Sequence, residues 1–101
     1  MRLPVFSSTK DGTSRKLVAV QATAFDFMPT VILCPLVPAA EGIVTDARVP
    51  VSFDGADYIA YCDLPRSIAV KALAQIGLIE ATASARILET IHSLLEWPTL
   101  P

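Results

Sequence analysis

The stretch Thr82-Ala-Ser-Ala-Arg-Ile-Leu-Glu-Thr-Ile-His-Ser-Leu-Leu-Glu-Trp-Pro-Thr-Leu-Pro101 decides how this chain reads. Ile87, Leu88, Ile91, Leu94 and Leu95 follow the spacing of one helical face. Everything before this stretch reads as short β segments, so an amphipathic helix at this place predicts a lid on a sheet. Thr82 or Ser84 supplies the cap, because a side-chain hydroxyl can accept from the free amides of the first turn. Pro98 stops the helix at Trp97, since the residue before a proline is pushed out of the α region. Trp97 is the only tryptophan. It has two readings. It covers the open end of the core, or it is an exposed aromatic anchor of the kind enriched in binding hot spots.

Upstream of the helix the strand signals are short and mostly apolar. Arg2 to Phe6 is broken by Pro4, which fits an edge strand or the first residue of a strand because proline cannot donate to a ladder. Ser7 to Ser14 is a polar loop with the turn signal Asp11-Gly12, and Lys16 to Thr23 follows as its partner strand. Ala24 to Pro29 connects. Thr30 to Val37 is the most hydrophobic run, and its β-branched content predicts a central strand whose pairing stops or bulges at Pro35. Arg48 to Phe53 and Tyr58 to Cys62 flank Asp54-Gly55-Ala56-Asp57 and predict a hairpin. Arg66 to Leu73 reads as a further strand, and Ala74 to Glu80 as a turn through Gly77. The expected fold is α+β: a small, strongly curved antiparallel sheet, a half-barrel of five to six strands, closed by a C-terminal helix. Residues 1–101 read as a single domain, since that length suits one hydrophobic core.

Composition narrows the function. The chain carries eight Lys and Arg against ten Asp and Glu, for a net charge of -2, which disfavours a non-specific nucleic-acid binder. The charge is uneven. Arg2, Lys10, Arg15 and Lys16 stand against Asp11 near the start, whereas Glu41, Asp46, Asp54, Asp57 and Asp63 stand against Arg48 in the middle. Two complementary surfaces or a solvated mixture both fit this pattern. No apolar run is long enough to span a membrane, and no signal peptide is visible, which leads to the expectation of a cytoplasmic protein. Cys34 and Cys62 sit in apolar runs and are read as buried free thiols, with a disulfide or redox pair as the other reading. No metal motif or glycine-rich phosphate loop is present, so neither metal nor cofactor is expected. The single histidine, His92, lies beside the apolar stripe of the helix and reads as a surface or boundary residue. Asp63 and Arg66 flank Leu64-Pro65, where an ion pair would fix a turn; a catalytic role for Arg66 is the alternative.

Several stretches in order resemble CcdB, the toxin of a bacterial toxin–antitoxin pair, within the wider CcdB/MazF/PemK (Kid) toxin superfamily. Met1-Arg-Leu-Pro-Val-Phe6 and Leu17-Val-Ala-Val-Gln21 are similar to its opening strands. Val31-Ile-Leu-Cys-Pro-Leu36 resembles its central strand, and Val51-Ser-Phe-Asp-Gly-Ala-Asp-Tyr-Ile59 its hairpin. Ile87 to Trp97 looks like its closing helix. The resemblance implies a homodimer that is not an enzyme, that poisons DNA gyrase by binding the A subunit, and that a cognate antitoxin neutralises. It places target binding on Trp97, Pro98, Thr99 and Leu100, where only the tryptophan matches the family's closing Trp-Gly-Ile. Antitoxin binding is expected at Lys10, Arg15 and Lys16, with no direct sequence-specific nucleic-acid binding and no membrane partner. The runner-up is a MazF/PemK-type endoribonuclease, an mRNA interferase, because Tyr61-Cys-Asp-Leu-Pro-Arg-Ser-Ile68 is similar to a segment of those enzymes. It would use Arg66 with hydroxyls of the Ser7–Ser14 loop such as Thr9. A third reading is a non-toxic homologue that only binds antitoxin.

Overall fold

A computed structural model describes residues 1–8, 15–21 and 29–95 of the chain. In chain order these form β1 (Pro4–Ser8), β2 (Arg15–Ala19), β3 (Thr30–Pro38), β4 (Arg48–Phe53), β5 (Ala56–Tyr61), β6 (Arg66–Ala69), a 3-10 turn over Val70–Ala72, β7 (Leu73–Leu78) and α1 (Ala81–Leu95). All strand pairings are antiparallel. The sheet runs β4-β5-β3-β2-β1-β7, and β6 pairs with β3 off this path. The fold is the expected α+β sheet under a C-terminal helix, with seven strands instead of five to six and without closure into a barrel.

The branch at β3 explains most of the shape. Thr30–Leu33 pair with β6, and Leu36–Pro38 pair with β5. Cys34 and Pro35 fall between the two ladders. Pro35 thus stands where one partner leaves and the next arrives, as a residue without a backbone donor should. Its pairing with Leu17 of β2 continues through the fork. Pro50 lies on β4, an end strand of the sheet, and Pro4 is the first residue of β1. All three prolines sit where a missing N–H is tolerated.

The β4–β5 hairpin is tighter than the sequence suggests. Phe53 pairs with Ala56, leaving a two-residue turn at Asp54 (φ 50°) and Gly55 (φ 77°). Two positive φ values in succession define the turn whose twist matches a hairpin. The four-residue reading is corrected, and Ala56 and Asp57 join the strand.

The larger correction concerns residues 66–80. One strand and a turn were expected; instead β6 ends at Ala69, the 3-10 turn intervenes, and β7 occupies the expected turn. Gly77 explains the difference. It does not reverse the chain. An ideal Cβ on Gly77 would stand 2.7 Å from Cε1 and 2.8 Å from Cζ of Phe53, so the glycine makes room for that ring. The register against β1 slips nearby, with Val5 opposite Gly77 and Phe6 opposite Gln75. A glycine inside a strand commonly marks such a bulge or close approach.

The sheet buries both faces. Leu3, Val5, Val18, Cys34, Leu36, Val51, Phe53, Ile79 and Ile87 share the main core beneath α1. Leu17, Ala19 and Leu33 form a smaller core on the other face, joined by Phe6, Val31, Ile68 and Leu73. The helix uses only part of its predicted stripe. Ile87 is fully buried and Leu88 and Ile91 pack against the core, but Leu94 and Leu95 are exposed, at 48% and 73%. The sheet supports the helix through its first turns and no further.

Thr82 and Ser84 both lie inside α1, so neither is the predicted cap. Ser84 has a different task. Its buried Oγ accepts from the Leu3 amide at 3.0 Å and donates to the Ile79 carbonyl at 3.2 Å. One hydroxyl therefore fastens the chain's first residues to the start of its last helix. Ser84→Ala would leave the Leu3 amide buried without that acceptor, at a cost of about 1–3 kcal/mol. Urea unfolding should show a lower midpoint at unchanged slope; an unchanged midpoint would refute this role for Ser84.

Candidate functional site

A groove of about 870 Å³ opens beside the fork of β3. β3 contributes Pro35 to Pro38 as its floor, β2 contributes Arg15 to Leu17 on one side, and β6 contributes Arg66 to Ala69 on the other. Ser8, Glu41, Tyr58, Tyr61 and Leu64 complete the lining. Register puts two of the cations on either edge of β3. Lys16 is opposite Leu36, and Arg66 is opposite Leu33 on the other edge of β3. Two strand spacings across and three residues along give a Cα separation of about 14 Å.

Its electrostatics run against the whole molecule. The protein has a net charge of -2, yet Arg15, Lys16 and Arg66 line the groove with Glu41 as its only carboxylate among the described residues. The strand ends produce this arrangement. Arg15 opens β2 and Arg66 opens β6, where side chains leave the packed sheet for solvent. Both arginines are exposed, whereas Lys16 is half-buried with its Nζ 5.6 Å from the centre of the Tyr58 ring. The tyrosines supply flat faces among these charges.

Tyr61 is held from behind. The Arg48 guanidinium stacks 3.8 Å from its ring centre. Arg48 also donates to both oxygens of Asp63, at 3.1 and 3.2 Å, and to the Ile43 carbonyl at 3.3 Å. The Tyr61 hydroxyl accepts from the Ile43 amide at 3.1 Å. This cluster fixes the loop that carries Glu41 against the groove wall. The hydrogen bond from Arg48 holds the Asp63 carboxyl below its usual range, and the same bond holds the Arg48 guanidinium more firmly charged. The predicted turn-fixing pair of Asp63 with Arg66 is therefore corrected: Asp63 pairs with Arg48, and Arg66 faces the groove.

Of the residues singled out in the sequence, Arg15, Lys16 and Arg66 come together here. Thr9, Lys10, Trp97, Pro98, Thr99 and Leu100 lie outside the described residues. Ser7 and Ser8 belong to β1 rather than to a loop, and Ser8 lines the groove. His92 is exposed on α1, away from this lining. Sequence reasoning missed Tyr58, Tyr61 and Glu41. Tyr58 and Tyr61 lie on β5, three residues apart. That spacing carries no recognisable motif, and only the pairing of β5 with β3 brings them to the groove. Among the described residues no group of His, Cys, Asp and Glu could hold a metal ion, and no helix is long and apolar enough to cross a membrane.

The sequence matches no family model and no curated protein. The fold, by contrast, has solved counterparts. The MazE–MazF complex from Deinococcus radiodurans superposes with a TM-score of 0.72 at 20% identity, over 92% of this chain and 90% of that one. The Mycobacterium tuberculosis toxin MazF-mt6 gives 0.72 at 20% identity, over 93% and 99%. An endoribonuclease in complex with its cognate antitoxin, from a mycobacterial species, gives 0.79 at 13% identity, over 94% and 95%. The expectation of a protein that is not an enzyme is overturned by these neighbours, since structures with this fold include endoribonucleases. At such identities the shared property is the architecture: the chain has the fold of the MazF toxins.

Proposed function

We propose that this chain is the toxin of a type II toxin–antitoxin pair, and that its groove takes single-stranded RNA for cleavage. The observation that carries the reading is the gathering of three cations and two tyrosines in one groove of an acidic protein. Cations hold a phosphate backbone without regard to sequence, and aromatic faces stack on bases that are not paired. The MazF fold supports the same reading. Cleavage of RNA by its own 2′-hydroxyl needs a base for that proton and positive charge for the phosphorane. Glu41 is the candidate base, and Arg66 with Lys16 supplies the charge. Ser8 and Ser67 offer hydroxyls for orienting the phosphate.

The partners follow from the same surface. A cognate antitoxin with an acidic segment would compete with RNA for Arg15 and Lys16, which makes silencing and substrate binding mutually exclusive. Solved structures of this fold include a MazE–MazF complex and an endoribonuclease with its cognate antitoxin. A homodimer is the proposed working form. Gyrase poisoning through Trp97 to Leu100 draws no support from these structures.

Two assays run side by side decide the matter. Purified protein is incubated with unstructured RNA in chelator, and separately with gyrase, ATP and plasmid. The expected result is discrete RNA fragments with a 5′-hydroxyl and an unchanged supercoiling reaction. Intact RNA together with protease-released linear plasmid would overturn the proposal and return the target to the gyrase A subunit.

A further inference from the structure

Cys34 and Cys62 are far apart in sequence, and both are buried, at 0% and 2% exposure. The β3–β5 ladder pairs Pro38 with Tyr58, Val37 with Ile59 and Leu36 with Ala60. Continued two residues past its last pair, that register sets Cys34 opposite Cys62. Directly opposed residues of an antiparallel pair have Cα atoms about 4.5–5.5 Å apart, and a disulfide needs roughly 4.4–6.8 Å. The next fixed pair on the same edge is Leu33 with Arg66. Residues 61–65 must therefore bridge a gap that β3 crosses with Cys34 and Pro35. The surplus chain bulges outward, and Asp63, Leu64 and Pro65 are exposed. Cys62 does not follow them. A tight turn from its amide to the Ala60 carbonyl, at 3.1 Å, holds it on the inner side against Cys34. Both residues belong to the main core.

We propose that Cys34 and Cys62 form a reversible intramolecular disulfide, a modification site that staples β3 to the β5–β6 connection beneath the groove. The site is built from both walls. Pro35 and Leu36 follow Cys34 directly, and Tyr61, Leu64 and Arg66 flank Cys62, all of them in the groove lining. The neighbouring sulfurs push the Cys34 thiol up and favour the Cys62 thiolate, whose Sγ also lies 3.7 Å from the Ala60 carbonyl, so Cys62 is assigned as the attacking sulfur. Opening of the exposed bulge gives a small peroxide access to it. The Cys62 thiolate attacks the O–O bond of hydrogen peroxide and becomes a sulfenic acid, with hydroxide leaving. The Cys34 sulfur then displaces the sulfenic hydroxyl as water. The Cys34 proton goes into that water, and the proton first lost by Cys62 neutralises the hydroxide. One peroxide is thereby reduced to two waters, and two thiols are oxidised to one disulfide. This inference is independent of what the groove binds.

The test is peroxide treatment of the reduced native chain, followed by intact-mass and peptide mapping. The expected product has lost two hydrogen atoms, carries a Cys34–Cys62 cross-linked peptide, and returns to the starting mass with dithiothreitol. Constraining a long loop in the unfolded chain should raise the melting temperature of the oxidised form by roughly 10 °C. In Cys34→Ala the same treatment should leave oxygen on Cys62 with no cross-link. Three results would overturn the proposal: oxygen adducts without a cross-link in the unmutated chain, a disulfide between two molecules, or an oxidised form that melts no higher than the reduced one. The melting comparison uses only the unmutated protein, so it stands even where the alanine variant fails to fold.

Discussion

On the proposed ribonuclease reading, Arg66→Ala is expected to slow RNA cleavage roughly 10²–10³-fold, the usual loss when a group stabilising transition-state charge is removed. The residue is exposed at the start of β6, so the fold should survive, with stability within about 0.5 kcal/mol of the parent. On that reading Arg66 and Lys16, on opposite edges of β3, would hold different phosphates. Binding should weaken as well, and the slope of log K against log salt should fall by about 0.7 for one lost contact to a single strand. Lys16→Ala should lower the salt slope by a similar amount. Single-turnover cleavage and fluorescence titration at several salt concentrations would measure both. An Arg66→Ala chain that cuts at the parent rate would remove Arg66 from the site.

Ile87→Ala should be the most destabilising single truncation on the helix, at about 2–5 kcal/mol. The side chain is fully buried in the main core, between α1 and the sheet. The lost methylenes leave a cavity that rigid strands cannot collapse to fill. At about 4–8 °C per kcal/mol for a chain of this length, the melting temperature should drop by about 8 °C or more. Leu95→Ala is the control. It removes an apolar side chain from the same predicted stripe, but that side chain is 73% exposed, so the change should be small. Equal losses at the two positions would show that the helix is seated differently from the packing described above.

The contrast between Ile87 and Leu95 also marks how far the sequence can be read. Periodicity identifies the apolar face of a helix, but it says nothing of how far the sheet beneath extends. The Asp54-Gly55 turn was legible because two positive φ values need those residue types. Gly77 was misread for the converse reason. Glycine serves turns and close approaches alike, and only the position of Phe53, remote in sequence, distinguishes them. Pro35 was read correctly on one edge only: the partner changes there from β6 to β5, while pairing with β2 continues through it. The groove was only partly legible. Arg66 and the basic start of β2 stood out as charges, but the tyrosines of β5 and the carboxylate of Glu41 join them through the fork of β3. The partner of Asp63 was missed on the same ground: Arg66 is nearer in sequence, and Arg48 is nearer in space.

β1 is an interior strand, and that position sets when the protein can finish folding. Its ladder with β2 is available early in synthesis, but its other edge waits for β7, where Pro4 meets Leu78. The Leu3 amide waits longer still, for Ser84. At elongation rates of about 5–20 residues per second that interval is on the order of several seconds. Throughout it, an apolar strand presents unpaired amides and carbonyls to any other nascent chain nearby. Long-range pairing of this kind also slows folding after release. Ribosomes stalled before Leu73 would therefore hold a chain whose opening strand is still an open edge. Aggregation during synthesis, more than unfolding of the finished protein, is the hazard this topology carries.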